Sequence, residues 1–415
     1  MYFMHLISLL IYDLSIRLYG FGILIASFFN TKAKLWLDGR RNRGPIELPL
    51  TTGKRIWVHC ASLGEFEQAR PVIEKMKTDT PSAYILLTFF SPSGYEVRKN
   101  YAYADVVLYL PTDTAKNAAD FLNQVKPDLA LFVKYEFWYH YLAGLKSRNI
   151  PLVLFSAIFR KEQVFFKWYG GFFRNMLQCF SKIFVQNKDS QQLLQSISIT
   201  SEISFDTRFD RVYQIAQNPK SFPAIEKFKG TNKLLVAGST WKKDEQIIAE
   251  LINQKVLAGF KYVIAPHNLS ETEIAAFQKN EAPNSIRLSQ LNASNAENAE
   301  VLIVDTMGDL ASIYSYGDIA YVGGGFNASV HNVLEAAVYG MPVIFGPNYT
   351  KSNEAKELRQ LSAAFPVTDS KQLKAVLTGF VNNTSLMKTA SLQAKQYVET
   401  HLGGVNDICN YIQLK

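Results

Sequence analysis

Two successive series of short apolar segments constrain the fold of this chain more than any other feature. The first series comprises residues 55–60, 84–89, 106–110, 129–133, 152–156 and 183–185, with helical patterns such as 115–125 and 139–147 between them. Near-continuous apolar runs of this length are typical of strands that are buried on both faces of a parallel sheet. The alternation of strand and helix predicts a doubly wound α/β domain.

The alternation begins again after a polar stretch at residues 211–231. Its strands are expected at 233–237, 262–265, 301–304, 319–322 and 343–345, and helical patterns follow at 371–381 and 386–401. We therefore predict an N-terminal domain over 32–212 and a C-terminal domain over 213–415, whose last helix packs back on the first domain. Two such domains that face a cleft would place ligands at the carboxyl ends of their strands.

Residues 1–31 form an apolar segment that ends in a basic collar. Up to Thr31 the only charged residues are Asp13 and Arg17, and the collar follows as Lys32, Lys34, Arg40, Arg41 and Arg43. The uninterrupted apolar part, 18–29, is shorter than the ~20 residues of a perpendicular span. Three interpretations of the segment stay open: a membrane span, an interfacial anchor and a buried first helix. If the segment is an anchor, the collar predicts that the rest of the chain is cytoplasmic.

The composition narrows the possible partners. The chain has 415 residues, 48% of them apolar and 19% charged, with a net charge of +8. These values are typical of a globular protein, and the charge suits an anionic membrane or an acidic substrate. No nucleic-acid motif is recognised, so we expect no nucleic-acid partner. Cys60, Cys179 and Cys409 have neither pairing nor metal-ligand spacing, and we expect no metal site.

The most informative segment is 321–347, in which a strand leads into Gly323, Gly324 and Gly325. Glycines allow close backbone approach to a ligand. We expect a helix to begin near His331, where free N–H groups would suit a phosphate. A tight strand-to-helix turn explains the same glycines equally well, and the spacing of the dinucleotide fingerprint is absent.

The order Gly-Gly-Gly, His-Asn, Leu-Glu, Gly-x-Pro-Val and Gly-Pro in this segment resembles the donor-binding element of GT-B glycosyltransferases. It is most similar to that of the transferases of 3-deoxy-D-manno-octulosonic acid (Kdo) in lipopolysaccharide assembly. Further landmarks of that family lie in the same order at 58–65, 136–138, 209–210, 265–266 and 304–310. The resemblance therefore covers nearly the whole chain.

The resemblance implies a GT-B fold and inverting transfer of Kdo from CMP-Kdo to a lipid A precursor, with release of CMP, at the cytoplasmic side of the inner membrane. CMP-Kdo would be the donor substrate, and neither a cofactor nor a metal ion is expected. Two alternatives stay open. One is a related GT-B enzyme that uses another sugar nucleotide, and the other is a non-catalytic, membrane-tethered nucleotide-binding protein.

Three residues are the catalytic candidates. Glu65 and Glu136 follow strands at carboxyl ends, where a carboxylate can act as a base. The resemblance implies that Glu65 is the catalytic base and that Glu136 orients reacting groups or the acceptor. Arg208 matches a position that is typically Lys, and its charge would stabilise the leaving phosphate or the Kdo carboxylate. The alternatives are a helix-capping Glu65, a solvated Glu136 and a solvated Arg208.

The resemblance also implies a set of contacts to the CMP-Kdo donor. They are Ser239, Thr240, Pro266, His267, Met307, Gly308, Asp309, Gly324, Gly325, Asn332, Val333, Leu334 and Glu335. Ser239 and Thr240 could instead cap the next helix. Two residues depart from the family pattern, because Trp241 replaces a His and His267 replaces an Arg. An aromatic and basic stretch at 165–174 would rest on lipid or pack in the core.

Overall fold

The computed structural model describes residues 2–41, 46, 48–49, 53–255, 257–292 and 294–413, so the predicted collar residue Arg43 lies outside the described residues. The chain divides into two compact units. One comprises Met1–Asp210 together with Gly403–Lys415, and the other comprises Arg211–Leu402. The chain therefore returns to the first unit for its last helix.

Fourteen strands form the two sheets of the described chain. They are β1 (Arg55–Cys60), β2 (Tyr84–Phe89), β3 (Val106–Tyr109), β4 (Leu129–Val133), β5 (Leu152–Ala157), β6 (Lys182–Val185), β7 (Glu202–Ile203), β8 (Lys233–Thr240), β9 (Phe260–Pro266), β10 (Ser285–Arg287), β11 (Val301–Ile303), β12 (Ile319–Val322), β13 (Val343–Phe345) and β14 (Ala364–Pro366). The first unit has the strand order β3-β2-β1-β4-β5-β6-β7, and the second has β10-β11-β9-β8-β12-β13-β14. Every pairing is parallel, which confirms the predicted doubly wound α/β class.

Eighteen α-helices of the described chain connect and cover the strands. They are α1 (Tyr2–Ala26), α2 (Thr31–Arg41), α3 (Leu63–Asp79), α4 (Pro92–Arg98), α5 (Ala115–Val125), α6 (Tyr139–Ser147), α7 (Gly171–Leu177), α8 (Lys188–Gln195), α9 (Arg208–Gln217), α10 (Pro223–Lys229), α11 (Lys242–Asn253), α12 (Glu271–Asn280), α13 (Leu310–Ile313), α14 (Leu334–Ala337), α15 (Asn353–Gln360), α16 (Ser370–Asn382), α17 (Thr384–Glu399) and α18 (Gly404–Gln413). Short 3₁₀ turns lie at Val164–Phe166, Leu288–Gln290 and Tyr314–Tyr316.

The sheet of the first unit is covered by apolar layers on both faces. Successive residues of a strand point to opposite faces, so Trp57 packs in one layer with Phe121 and Phe132, while Val58 packs in the other. The helix α18 belongs to the second layer through Ile408 and lies against α3. This double covering explains why β1, β2, β4 and β5 are almost completely apolar.

One side of the N-terminal helix α1 packs against the rest of the first unit. Tyr12 donates a hydrogen bond to Asp113 Oδ2 at 2.5 Å and accepts one from the Tyr139 backbone at 3.2 Å, and Asp13 pairs with His140 at 2.6 Å. Residues 6–26 are long and apolar enough to cross a membrane, and none of them is fully buried. The interpretation of this segment as a buried core helix was therefore wrong.

The basic collar is only partly exposed. Lys32, Lys34 and Arg41 lie on the surface. Arg40 instead donates hydrogen bonds to the carbonyls of Phe90 and Leu110, and its guanidinium lies 3.8 Å from the centre of the Trp36 ring. These contacts fix Arg40 within the first unit, so its guanidinium is less accessible than the side chains of Lys32 and Lys34.

The aromatic and basic stretch that was predicted at 165–174 divides between core and surface. Phe165 and Phe172 are buried in the first unit. Trp168 is 90% exposed and Tyr169 is 60% exposed. Core packing is therefore confirmed for Phe165 and Phe172, and contact of Trp168 and Tyr169 with lipid stays a prediction.

Candidate active site

The first candidate, Glu65, lies in the opening turn of α3, directly after the carboxyl end of β1. Ser62 is the N-cap of this helix, accepts a hydrogen bond from the Gly64 backbone, and donates one to Glu65 Oε2 at 2.5 Å. The partial positive charge of the helix N-terminus favours a carboxylate at this position. Glu65 is thus held in place by a helix cap and is still partly exposed.

Glu136 is buried at the carboxyl end of β4 and is held by two ring nitrogens. His59 Nε2, on the neighbouring strand β1, lies 2.9 Å from Glu136 Oε2, and Trp138 Nε1 donates to the same oxygen at 2.6 Å. The other ring nitrogen of His59 lies 2.8 Å from Thr88 Oγ1 on β2. The side chain is 8% exposed, so the interpretation of Glu136 as a solvated surface residue was wrong.

Glu65 and Glu136 act electrostatically on a common neighbour. Burial raises the pKa of the Cys60 thiol well above its ordinary value, and the charges of Glu65 and Glu136 raise it further. Both carboxylates therefore lie within electrostatic reach of the last residue of β1. The strands β1 and β4 are adjacent and parallel, which brings their carboxyl ends to the same edge of the sheet.

Arg208 is an ion-paired residue rather than an isolated cation. At the start of α9 it donates to both carboxylate oxygens of Asp206, from Nε at 3.1 Å and from Nη2 at 2.9 Å. Asp206 is buried, which alone would raise its pKa, but the Arg208 guanidinium and a hydrogen bond from Gln68 lower the pKa below its ordinary value. The Arg208 side chain is 26% exposed, and its charge is largely balanced by Asp206.

The glycines after β12 allow close packing of the protein against itself. A Cβ atom on Gly323 would lie 2.2 Å from the carbonyl oxygen of Ser239, and one on Gly325 would lie 2.6 Å from the Gly346 backbone. Gly324 has a φ of +89°, and a Cβ there would lie 2.7 Å from the His331 ring. The absence of side chains at these glycines therefore permits the close packing at the end of the second sheet, and contact of Gly324 and Gly325 with the donor stays a prediction.

The helix that was expected near His331 begins later and is short. It is α14, which starts at Leu334 and has four residues. Asn332 precedes it, accepts the Leu334 N–H through Oδ1, and donates from Nδ2 to Glu335 Oε1 at 3.0 Å. The helix therefore begins three residues after His331, and the side chain of Asn332 organises the turn before it.

The remaining donor candidates of the second unit differ in accessibility. Val333 and Leu334 have buried side chains, so only their backbone is available to a ligand. Thr240 is buried and donates to Glu245 at 2.9 Å, and Trp241 rather than Ser239 or Thr240 occupies the N-cap of α11. Ser239 and Pro266 are partly exposed, and His267 is exposed. The capping alternative for Ser239 and Thr240 was therefore wrong.

The loop 307–309 lies between β11 and α13. Met307 is 85% exposed, and Gly308 has a φ of +84°, which favours glycine. Asp309 accepts hydrogen bonds from Lys220 at 2.7 Å and from Thr306 at 2.7 Å. Partial burial raises its pKa, but these two hydrogen bonds outweigh burial and keep the pKa below its ordinary value.

Several neighbours of the candidates were not singled out by sequence reasoning. They are His59, Trp138, Asp206 and Lys220, and each makes one of the contacts described above. For His59 a signal was present, because a histidine inside an apolar buried strand requires polar partners. The others depend on contacts that the sequence order does not reveal. In the described part of the chain, no group of three or more His, Cys, Asp or Glu side chains is arranged to hold a metal ion.

Comparison with known proteins shows the family to which this chain belongs. Residues 35–211 match the family model described as 3-deoxy-D-manno-octulosonic-acid transferase (kdotransferase). The 3-deoxy-D-manno-octulosonic acid transferase of Aquifex aeolicus (strain VF5) is 30% identical over 332 residues, which cover 78% of this chain and 85% of that protein. The chain belongs to the Kdo transferase family. A second relative, from Rickettsia prowazekii (strain Madrid E), is 25% identical over 86% of this chain and 79% of its own length.

Solved structures confirm the fold class of this Kdo transferase family member. MurG of Acinetobacter baumannii superimposes with a TM-score of 0.56 at 13% identity, over 87% of this chain and all of that one. UDP-GlcNAc 2-epimerase of Neisseria meningitidis gives a TM-score of 0.57 at 15% identity, over 84% and 99% of the two chains. The fold is therefore of the GT-B class. At these identities the likeness concerns the fold alone.

Proposed function

We propose that the chain transfers Kdo from CMP-Kdo to a lipid A precursor and releases CMP, as a step of lipopolysaccharide biosynthesis. Membership of the Kdo transferase family supports the transferred sugar. CMP-Kdo is the donor substrate in this proposal, and no resident cofactor or metal ion takes part. The second unit would bind the donor, and the first unit would supply the base.

The position of Glu65, fixed by a helix cap and still accessible, is the observation that carries the proposal. Its Oε2 is held by Ser62, no described hydrogen bond engages Oε1, and the side chain is partly exposed. In the proposed step, the acceptor hydroxyl oxygen attacks the anomeric carbon of Kdo, and Glu65 takes the hydroxyl proton. The bond from that carbon to the CMP phosphate breaks, and its electron pair leaves with CMP. Attack opposite to the leaving group inverts the anomeric configuration.

Glu136 would act beside this base as a fixed carboxylate. The two hydrogen bonds from His59 and Trp138 both reach Oε2, and the described hydrogen bonds do not engage Oε1. A carboxylate whose rotamer is fixed by such contacts can position an acceptor hydroxyl. Arg208 would contribute less charge than an unpaired cation, since Asp206 balances it.

The test of the base is Glu65→Gln, with Glu67→Gln as the matched control two residues along the same helix. Glu67 makes only surface ion pairs with Arg70 and Arg98, which contribute little. We expect the rate of Kdo transfer to fall at least ~100-fold in Glu65→Gln, the usual contribution of a general base. We expect little change in Glu67→Gln and in CMP binding by either variant. Normal transfer by folded Glu65→Gln would contradict the proposal.

We also propose that the protein is attached to the cytoplasmic side of the inner membrane through α1, lying in the plane of the interface. The side of α1 that faces away from the first unit carries Leu10, Ile11, Leu14, Leu18 and Phe21, each about 60% exposed. The opposite side is held by the hydrogen bonds of Tyr12 and Asp13. A perpendicular span would have to break these contacts, whereas an in-plane helix keeps them.

Further exposed groups of the first unit support this attachment. Phe28 and Phe29 are 76% and 88% exposed directly after α1, and Trp168 lies just before α7, which packs against α1. Exposed Lys32 and Lys34 suit anionic lipid head groups. In the proposed attachment, the aromatic side chains would enter the lipid layer and the lysines would contact its head groups.

The orientation of α1 is tested with a protease-cleavable tag fused before Met1. An in-plane helix leaves the tag on the cytoplasmic side, so we expect cleavage in inside-out vesicles and protection in intact spheroplasts. A full span places the tag on the other side and reverses both results. That reversal would refute the in-plane attachment and leave the proposed transfer reaction unaffected.

A further inference from the structure

Three rings come together at the carboxyl ends of β9, β8 and β12, which are adjacent in the second sheet. They belong to His267, Trp241 and His331, and each follows one of these strands. The planes of Trp241 and His331 differ by only 6°, their centres are 6.3 Å apart, and Trp241 Nε1 donates to His331 Nε2 at 2.9 Å. These two rings therefore lie side by side in one plane.

His267 covers this pair. Its ring centre lies 4.6 Å from that of Trp241 and 4.5 Å from that of His331, with interplanar angles of 22° and 18°. The backbone fixes the arrangement, because His267 N–H bonds to the Thr240 carbonyl and His331 N–H bonds to the Gly323 carbonyl. The absence of a side chain on Gly324 leaves room for the His331 ring.

The direction of the hydrogen bond determines the tautomer of His331. An indole N–H can only donate, so Nε2 of His331 must carry a lone pair. A neutral imidazole then carries its proton on Nδ1. Burial, followed by the neighbouring His267, lowers the pKa of His331 below its ordinary value of 6.5, which favours the neutral ring.

We propose that Trp241 is a positioning residue that holds His331 as the Nδ1–H tautomer, so that His331 donates a hydrogen bond to the phosphate of the donor nucleotide. This inference rests on the proposed function for the identity of the nucleotide. The segment that contains His331 is the one whose glycines, Asn332 and Glu335 resemble a donor site.

The tautomer is measured on the full-length protein with ¹⁵N-labelled histidine, in which His331→Phe identifies the signal. We expect a protonated Nδ1 and an unprotonated Nε2 in the parent protein, and loss of this preference in Trp241→Phe, which keeps a ring and removes the donor. A protonated Nε2 in the parent protein would overturn the proposal. This readout needs no substrate, so it is independent of the proposed reaction.

The role in donor binding is measured by titration with CMP and by kinetics with CMP-Kdo. We expect CMP to shift the His331 Nδ1 signal, and Trp241→Phe to raise the KM for CMP-Kdo about tenfold, the size of one hydrogen bond to a charged group, with kcat little changed. Tyr103→Phe, an exposed residue of the first unit, serves as the control.

The double variant Trp241→Phe/His331→Phe distinguishes positioning from general structural damage. If Trp241 acts through His331, the double variant has the KM of His331→Phe alone. Additive losses, or an Nδ1 signal that CMP does not shift, would overturn the role in donor binding. If UDP but not CMP shifts the signal, the positioning role stands and the proposed donor is wrong.

Discussion

At the scale of single residues, a series of buried hydrogen bonds in the first unit leads to the carboxylate of Glu136. Trp57 Nε1 and His59 Nδ1 both lie 2.8 Å from Thr88 Oγ1, and His59 reaches Glu136 on its other side. One consistent assignment has Trp57 donating to Thr88, Thr88 donating to His59, and His59 donating to Glu136. Every group then has a partner without a charge on the imidazole.

Replacing His59 tests this chain of contacts. His59→Phe keeps an aromatic ring in the core but removes one donor to the buried Glu136 carboxylate, which costs about 1.5–3 kcal/mol of folding free energy. We also expect kcat to fall at least ~10-fold, since a 1 Å displacement of a positioned group can cost more than that. Denaturant unfolding and steady-state kinetics measure the two effects. A stable variant with unchanged kcat would show that His59 does not position Glu136.

We expect His331 to make the stability of the second unit depend on pH. Its folded-state pKa is lowered, so the unfolded chain binds the proton more readily. The contribution of His331 is fully present above the ordinary value of about 6.5 and is lost as the pH falls through the lower folded-state pKa. As the pH is lowered from 7, we expect the melting temperature of the parent protein to fall further than that of His331→Gln. Parallel melting-temperature curves for the two proteins would contradict this account.

At the scale of elements, α1 is a helix with two different sides. One side carries Tyr12, whose hydroxyl connects Asp113 to the Tyr139 backbone, and the other is apolar and exposed. Asp113 is almost completely buried, and it also accepts the backbone N–H groups of His140 and Tyr141. The docking of α1 therefore depends on a small number of polar contacts.

Tyr12→Phe removes the hydroxyl and leaves the ring. The loss of a hydrogen bond to the Asp113 carboxyl costs about 1.5–3 kcal/mol, so we expect faster hydrogen exchange of the α1 amides and easier proteolysis after α1. Tyr19→Phe is the control, because Tyr19 contacts Trp36 and Phe90 through its ring, which phenylalanine retains. Equal exchange in both variants would mean that the Tyr12 hydroxyl does not hold the helix.

The interior strands could be predicted from the sequence, whereas three of the four edge strands could not. The bounds of β1, β2 and β4 agree with the sequence prediction, because strands buried on both faces leave a continuous apolar run. The strands β7, β10 and β14 were missed. Each lies at a sheet edge and has two or three residues, too few to produce a periodic pattern.

The candidate site was predictable where it follows from strand order. Glu65 and Glu136 both come after strands of the first sheet, and the parallel topology brings their ends to one edge. The pairing of Arg208 with Asp206 and of Trp241 with His331 was not predictable. Trp241 and His331 are 90 residues apart, so only the positions of β8 and β12 bring them together.

At the scale of the whole molecule, the chain builds two doubly wound units and closes the first one with its own C-terminus. Asp210 accepts hydrogen bonds from the Gly403 and Val405 backbones, which fixes the start of α18 in the first unit. Ile408 and Cys409 then complete the apolar layer under α3. This return of the chain adds a C-terminal helix to the unit that carries Glu65.

Transfer of Kdo to a lipid acceptor is the reaction on which all the proposed residue roles depend. The most direct measurement is the mass of the product after the purified protein is incubated with CMP-Kdo and tetra-acylated lipid A precursor, with EDTA present. We predict that the precursor gains one or more Kdo units and that CMP is released. No product from CMP-Kdo, together with consumption of a UDP-sugar or with nucleotide binding without turnover, would contradict the account. Product formation only after a divalent metal ion is restored would contradict its metal-free mechanism.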